Sequence, residues 1–526
     1  MTEIQEKLLN ILRAFDTICR KYDAEYFLTG GSALGAIRHN GFIPWDDDID
    51  LGMTRPMWEK VRPHLETELP DGLVMVDFRN HESYRNPIAK IIDTNSAVLY
   101  RASLADGCPK GQYIEIFTHD PVPAAHLAEH KKDFLTYCEL MTPYFSVFHE
   151  KMNYKRGLTD DELALIDEYH KAKERADAEG RDTVLAELEK KISKYRYDES
   201  DYLLLEWGVN ACYYPLENFG DFAEEGRVEV RYEKLEDMMV PVAKRACDNL
   251  RIDYGNSWTD YPPKSAQVAH VTVGDENISG TEFMKIIEKQ ISPDKTRAMR
   301  LSQKEVNLKA LPEKVARNKE IYSIQMRAAQ LREKMTPNLS SMYEAGEYGE
   351  IAERFKEYVL LKKRLKNYTF SEDLSDTTRD IIARSLVMLG RISDAENVLD
   401  MPRNLSISDT NSRTVNDILR LTKANSCYYD KFPEEARELL ACVEGNLRDS
   451  LTAWKVTARL DLEDGKPAAD AEAMMEKYLG DMEVVKIAAD TLMIQGRGAE
   501  ADKLYDCVLA ESNNGMDILD IETKRK

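Results

Sequence analysis

Residues Tyr26–Met53 read YFLTGGSALGAIRHNGFIPWDDDIDLGM. An apolar run ends in Gly30-Gly31-Ser32, a short helical segment follows, and the acidic alternation Asp46, Asp48, Asp50 then continues with Ile49 and Leu51 in between. The pattern predicts a strand that turns on glycines, a helix, and a second strand that presents carboxylates. Side chains alternate across a strand, so Asp48 and Asp50 are expected on one face while Ile49 and Leu51 enter the core. Two carboxylates held that close repel each other unless a cation lies between them. Mg²⁺ (or Mn²⁺) suits the position, because Mg²⁺ takes oxygen ligands and binds through one or two carboxylates together with substrate phosphates. The Gly-Gly-Ser turn at a helix start offers backbone N–H groups to those phosphates. Its plainer role is a tight turn that needs glycine for its φ angles, and the acidic strand downstream is what favours phosphate binding by Gly30, Gly31 and Ser32.

Composition narrows the function classes. At 526 residues the chain exceeds one ordinary core, so several domains are expected. With 43% hydrophobic and 32% charged residues it reads as globular rather than disordered. The net charge of −22 argues against binding to a nucleic-acid backbone, and no long Lys/Arg run offsets it. An anionic substrate must then be met locally, by a metal, backbone amides or single cations. Eight cysteines form no CxxC pair, which points to free thiols in a reducing compartment and away from a zinc site. Near the N-terminus Ile4, Leu8, Ile11, Leu12, Phe15 and Cys19 recur at helical spacing, as in an amphipathic helix and unlike a signal peptide. No segment approaches eighteen consecutive apolar residues, so no transmembrane segment is expected, and the chain is placed in the cytoplasm.

Farther along, a helix is expected over Arg55–Leu69, then strands at Leu73–Phe78, Pro87–Ile92 and Ala97–Tyr100. The segment Gln112–Phe117 alternates again and sets Glu115 opposite Ile114 and Ile116, which brings a third strand carboxylate towards Asp48 and Asp50. From about 123 to 214 the pattern is helical and highly charged, and reads as a helical insertion. Strand character returns near Arg227–Tyr232, and Pro262-Pro263 ends regular structure before His270. Beyond about 275 the chain is almost entirely helical. Gly390, Lys431, Gly465 and Gly496 each precede an alanine by five or six positions (Ala395, Ala436, Ala471, Ala501), at intervals of 41, 34 and 31 residues. Gly346 with Ala352 is a degenerate earlier copy. These intervals approach those of tetratricopeptide units, so 276–335 is read as a helical linker and 336–526 as a TPR-like solenoid, although the consensus Trp and Tyr positions are missing. Such repeats offer a surface for a protein partner. The expected fold class is α+β, a mixed sheet flanked by helices, followed by an all-α repeat domain.

The succession of apolar strand, Gly-Gly-Ser, Asp-apolar-Asp and a later acidic strand residue resembles the nucleotidyltransferase superfamily that includes DNA polymerase beta. The wording GGSALGAIRHNGFIPWDDDID is closer still to the LicD family, whose studied bacterial members transfer phosphocholine from CDP-choline to cell-surface glycans. Fukutin and the fukutin-related protein, which transfer ribitol phosphate, are similar to this family. Supporting blocks are IAKIIDTNSAV around Lys90, YIEIFTHDPVP around Glu115 and Asp120, and NLRIDYGNSWTDYPP followed by His270, so the resemblance covers roughly 5–270 and a catalytic domain of 1–275 is expected. The chain departs from the family's commoner wording at Glu115, where aspartate is usual, and at Thr118-His119, where Pro-Leu is usual.

The resemblance implies a nucleotidyltransferase-type fold, a CDP-alcohol donor, and a glycan or lipid-linked glycan acceptor such as teichoic acid or lipopolysaccharide. Asp48 and Asp50 are the expected metal ligands and catalytic carboxylates, with Glu115 either a third ligand or the base that takes the acceptor's proton. Arg38 and Lys90 are the basic candidates for neutralising nucleotide phosphates. Asp46 and Asp47 read as a solvated loop or outer support, because adjacent strand positions face opposite ways. Trp45 reads as packing for the loop. Tyr254, Tyr261 and His270 stand at matching family positions but read as structural. The same fold moving phosphoethanolamine, glycerol phosphate, ribitol phosphate or a nucleotide is the first alternative. A scaffold with an inactive nucleotide-binding domain is the second, and is disfavoured because all three acidic residues are present.

Overall fold

Thr2 and Gln5 cap each other reciprocally and start the first helix, α1 (Glu3–Lys21). Glu3 and Glu6 in its first turn and Arg20 and Lys21 in its last complement the helix dipole. Of the expected apolar stripe, Leu8, Ile11, Leu12, Phe15 and Cys19 are buried and Ile4 is half-buried. The computed structural model describes residues 1–525 except 82–83, 100–107, 143–159, 206–211, 221–225, 270–272, 276–277, 290–291 and 366–372, so Tyr100 and His270 lie outside the described residues. Two units are distinguished, Met1–Ala246 with Lys264–Ala316, and Cys247–Pro263 with Arg317–Lys526.

In the first unit α1 is followed by β1 (Phe27–Leu28), α2 (Gly30–His39), β2 (Asp50–Thr54), α3 (Arg55–Glu68), β3 (Leu73–Val76), β4 (Ala89–Asp93), β5 (Ala97–Leu99) and β6 (Gln112–Val122). Then come α4 (Leu127–Met141), α5 (Asp160–Glu179), α6 (Arg181–Ile192), β7 (Tyr202–Leu205), β8 (Cys212–Pro215), β9 (Val230–Leu235) and β10 (Met238–Ala243). Nine of these strands form one sheet, ordered β3-β4-β6-β2-β1-β10-β9, with β7 on the far part of β6 and β8 on β7. The β1·β10 and β2·β6 pairings are parallel and the others antiparallel, so the sheet is mixed and the fold is α+β. A separate two-stranded sheet pairs β5 with β11 (Val273–Asp275).

The expected helical insertion over 123–214 needs correction at its end. Helices α4, α5 and α6 do pack around Phe134, Leu135, Leu165, Tyr169, Val184 and Leu188, but Tyr202–Leu205 and Cys212–Pro215 are strands. YLLL and CYYP are too short for a helix, and their apolar and aromatic residues suit a strand whose backbone groups pair with Asp120–Val122 and with each other.

At the middle of the sheet Gly52 permits an unusually close approach: a Cβ there would lie 2.4 Å from the Phe27 ring and 2.7 Å from Nε2 of His119. His119 is fully buried against Phe27 and Phe219, with centroids 5.1 Å and 6.3 Å away, and neither ring nitrogen has a hydrogen-bond partner among the described residues. Burial lowers its pKa from 6.5 to about 3, so this imidazole is neutral and occupies an apolar slot.

The second unit includes five successive helix pairs, Leu339–Glu344 with Tyr348–Arg354, Asp376–Met388 with Ile392–Val398, Arg413–Tyr429 with Pro433–Ala441, Leu451–Glu463 with Ala471–Lys477, and Met482–Ile494 with Gly498–Glu511, besides the helices Lys356–Arg364 and Gly515–Lys524. Gly346, Gly390, Lys431, Gly465 and Gly496 all take positive φ between 66° and 78°, and Ala352, Ala395, Ala436, Ala471 and Ala501 are all buried. Each turn is closed by a bond from the following N–H to the carbonyl five residues back, as from Arg391 to Leu386 and from Phe432 to Cys427, both 2.8 Å. This is the Schellman arrangement, which glycine accommodates without a Cβ penalty. Lys431 is the exception among the five.

Residues Cys247–Pro263 pack in this helical unit, although in sequence they lie inside the expected 1–275 domain. The Asp430 carboxylate accepts from the N–H groups of Cys247 at 2.9 Å and Asp248 at 3.3 Å, at the start of α7 (Ala246–Tyr254). Arg403 donates to the carbonyls of Ile252 and Asp253 in its last turn. Both helix ends thus receive charge of the favourable sign. Trp258 is buried edge-on to Tyr429 at 5.3 Å, and the Gly515 N–H donates to the Thr259 carbonyl at 2.7 Å.

Lys431→Gly is expected to stabilise the helical unit by about 1 kcal/mol, since it removes a Cβ from a left-handed position, and urea denaturation measures it. His119→Leu is expected to raise stability and flatten its acid dependence. The wild-type imidazole titrates near 6.5 unfolded and at about 3 folded, so the unfolded state binds the extra proton and stability falls as pH drops from about 6.5 towards 3, by up to about 1.4 kcal/mol per pH unit. Denaturation midpoints at pH 7 and pH 5, compared between the two proteins, test the sign.

Candidate functional site

The register of three strands sets three charged residues in a row. Asp50 on β2 pairs with Glu115 on β6 in the parallel ladder, and Glu115 pairs with Lys90 on β4 in the antiparallel one. Lys90 Nζ lies 3.0 Å from Glu115 Oε1 and 3.3 Å from the centroid of the Tyr113 ring. Burial opposes the Lys90 charge, yet the adjacent Glu115 carboxylate together with Tyr84 and Cys108 outweighs it, and the ammonium pKa is raised. Both members are largely enclosed, with side chains 12% and 19% exposed, so the pair is screened less than a surface ion pair.

The glycine turn is joined to the same row. Gly30 takes φ +53°, and Ser32 Oγ accepts a hydrogen bond from Asp50 N–H at 2.8 Å. Thr29 N–H in turn donates to the Asp50 carbonyl at 3.1 Å. The Ser32 hydroxyl therefore fastens the helix start to β2. The first N–H groups of α2, which no intrahelical carbonyl can reach, are the groups left to an anion.

Asp46, Asp47 and Asp48 precede β2 in a loop held from outside by Gln5, whose amide donates to the carbonyls of Ile43 at 3.3 Å and Asp46 at 3.0 Å. One oxygen from each of the three carboxylates lies within 4.8 Å of the others. Three converging carboxylate oxygens fit a hard divalent cation. Asp47 is buried rather than solvated. The expectation that adjacent aspartates diverge holds for a strand, but β2 begins only at Asp50, and a loop is free to converge them. The signal for Asp46 and Asp47 was the unbroken Asp-Asp-Asp run itself.

The remaining candidates fall elsewhere. Arg38 is buried in the last turn of α2, about 12 Å along the helix from Gly30 at 1.5 Å per residue. Burial, and to a lesser extent the Arg38 charge, lowers the pKa of neighbouring His39 to about 4. Trp45 lies edge-on to His39 at 6.4 Å. Asp120 is engaged by a two-pronged Arg55 guanidinium, both contacts 2.6 Å, which makes it a structural carboxylate. The sequence reading did not find this pair. Tyr254 is exposed and Tyr261 half-buried, both on the segment that packs in the helical unit.

Residues 23–99 match the profile of the LicD/FKTN/FKRP nucleotidyltransferase domain. The N-terminal region carries a LicD-type domain. It is 34% identical over 131 residues to the lipopolysaccharide cholinephosphotransferase LicD of Haemophilus influenzae, covering 23% of this chain and 45% of that protein. Uncharacterised proteins of Rickettsia prowazekii and Rickettsia typhi are 37% identical over 46 residues, 9% of this chain and 17% and 15% of theirs. The chain thus covers less than half the length of each curated relative it matches. No solved structure matches it. Among the described residues, no helix is long and apolar enough to cross a membrane.

The LicD-type profile covers the glycine turn, the acidic loop, Asp50 and Lys90, and ends before Glu115. Lys90→Met is expected to destabilise the domain by about 3 kcal/mol, because it leaves a largely enclosed carboxylate without its cation. Lys90→Met combined with Glu115→Met is expected to recover most of the loss, and a double-mutant cycle in urea measures the coupling.

Proposed function

We propose that this LicD-type domain transfers a phospho-alcohol group, phosphocholine from CDP-choline in the first instance, to a hydroxyl of a cell-surface glycan or its precursor, such as teichoic acid or lipopolysaccharide. The observation that carries the reading is the register row Asp50–Glu115–Lys90 bonded through Ser32 to a glycine turn at a helix start. The similarity to a protein described as a cholinephosphotransferase supports the choice of group.

Asp48 and Asp50, assisted by Asp46 and Asp47, would hold Mg²⁺ or Mn²⁺, with Glu115 beside Asp50. When bound, the ion supplies positive charge to the phosphate oxygens of the donor. The chain's own groups do the rest. Backbone N–H groups of Gly30, Gly31 and Ser32 hold the donor's diphosphate, and Lys90, kept charged by Glu115, adds a fixed cation beside it. The acceptor oxygen bonds to the phosphorus that carries the alcohol, the bond from that phosphorus to the bridging oxygen breaks, and CMP leaves. Glu115 takes the acceptor's proton. Arg38, at the far end of α2, neutralises phosphate only through a donor that extends along the helix. The same groups would serve another CDP-alcohol, because each is assigned to the metal, the diphosphate or the acceptor's proton.

Purified protein with Mg²⁺ and a panel of CDP-choline, CDP-ethanolamine, CDP-glycerol and CDP-ribitol is expected to release CMP, seen by phosphorus NMR, and fastest from CDP-choline. Asp48→Asn and Asp50→Asn should each abolish release with an unchanged melting temperature, and EDTA should stop it until Mg²⁺ is restored. Release from no donor, with glycan acceptors supplied, sinks the proposal.

A further inference from the structure

The long helix Pro293–Met335 has two unlike faces over its last four turns. Tyr322, Met326 and Ala329 pack against the hairpins of the helical unit, with Met326 fully buried. On the other face Ile321, Ile324, Ala328, Leu331 and Met335 recur at steps of three, four, three and four residues, and all are exposed: 46%, 65%, 57% and 82% for Ile321, Ile324, Leu331 and Met335. Exposed Leu360 stands among the residues lining an adjoining groove of about 360 Å³ that Ala328, Ala329, Phe355 and Leu361 also line. A two-faced helix that buried only one stripe would show its apolar residues once per turn on one side. Here a second stripe with the 3.5-residue period of a coiled-coil seam is left over. Single exposed apolar residues need no explanation, but five in heptad register do.

We propose that this stripe is the seam of a homodimer, in which the helix pairs with the same helix of a second copy in antiparallel orientation. The flanking charges select the orientation. With Ile321, Ala328 and Met335 as a positions and Ile324 and Leu331 as d positions, a parallel pair sets Arg327 against the partner's Arg332, twice. An antiparallel pair that stacks Ile321 on the partner's Leu331 and Ile324 on the partner's Ala328 sets Glu320 against the partner's Lys334, twice, with Gln325 meeting its own copy. Its one like-charge contact is Arg327 on the two-fold axis. Sliding the antiparallel pair by one heptad would oppose Arg327 to the partner's Lys334 in one direction and set Ala328 against the partner's Arg317 in the other, so the first register is the one that keeps the apolar stripe on itself. The small Ala328 lets the backbones approach where Ile324 enters, and Met335 covers the end of the seam.

Sedimentation velocity of the full chain over a concentration series tests this. The wild type is expected to move towards twice its 60.3 kDa mass as concentration rises. Ile324→Glu and Leu331→Glu, at exposed positions whose change leaves the melting temperature alone, are expected to hold it as a monomer. Lys334→Glu is expected to weaken association roughly fivefold by turning two attractions into repulsions, and adding Glu320→Lys is expected to restore it. A wild type that stays monomeric at every concentration, or a dimer indifferent to Ile324→Glu and Leu331→Glu, overturns the seam. Failure of Glu320→Lys to rescue Lys334→Glu overturns the antiparallel register.

Discussion

Asp50 and Glu115 stand opposite each other across the parallel pairing of β2 and β6, and the site depends on that register. A slip of one residue would turn each side chain to the other face of the sheet and set Leu51 or Ile116 where a carboxylate now stands. The pairing brings like charges together in the middle of a sheet, where desolvation is costly. Lys90, delivered by the next strand of the same ladder, offsets part of that cost with a contact of 3.0 Å. The loop that precedes β2 brings oxygens of three more carboxylates within 4.8 Å of one another, a donor set that fits a hard divalent cation.

Around that pairing the local chemistry is economical. One hydroxyl, Ser32 Oγ, ties the start of α2 to the backbone of Asp50, so the turn that offers N–H groups and the strand that offers a carboxylate move as one piece. Gln5 of α1 does the same for the acidic loop through two backbone carbonyls. Such fastening limits the adjustment needed when a charged ligand arrives. Gly52 and His119 show the packing cost behind it: the sheet is drawn so tight that no Cβ fits at one position, and an imidazole is fully enclosed between aromatic rings at another.

The helical unit uses a different economy. Five turns repeat one solution, a left-handed residue that closes a helix followed by an alanine small enough to let the next helix approach. The same unit encloses Cys247–Pro263, with Asp430 and Arg403 meeting the two ends of α7 and Trp258 packed on Tyr429. A block whose wording resembles the LicD family is thereby held by residues far along the chain. The repeats hold a segment of their own polypeptide, whatever else they engage.

The periodic features were legible in the sequence. The α1 stripe, the strand–glycine–helix order, the alternation around Glu115 and the turn-and-alanine spacing all declare themselves, because periods of 2 and 3.6 and the αL preference of glycine are local properties of the backbone. The strands Tyr202–Leu205 and Cys212–Pro215 were read as the end of a helical stretch, because a four-residue apolar run has no period of its own and becomes a strand only beside β6. Asp46 and Asp47 were set aside on a strand rule that fails in a loop. By itself the sequence determined the candidate residues and roughly which elements hold them. Only the tertiary structure decided that Lys90 faces Glu115, that Ser32 is engaged by Asp50, that Asp120 belongs to Arg55, and that Cys247–Pro263 packs among the repeats. Each of these is a pairing between residues distant in the chain, set by sheet register and helix packing, and local backbone preference carries no record of it.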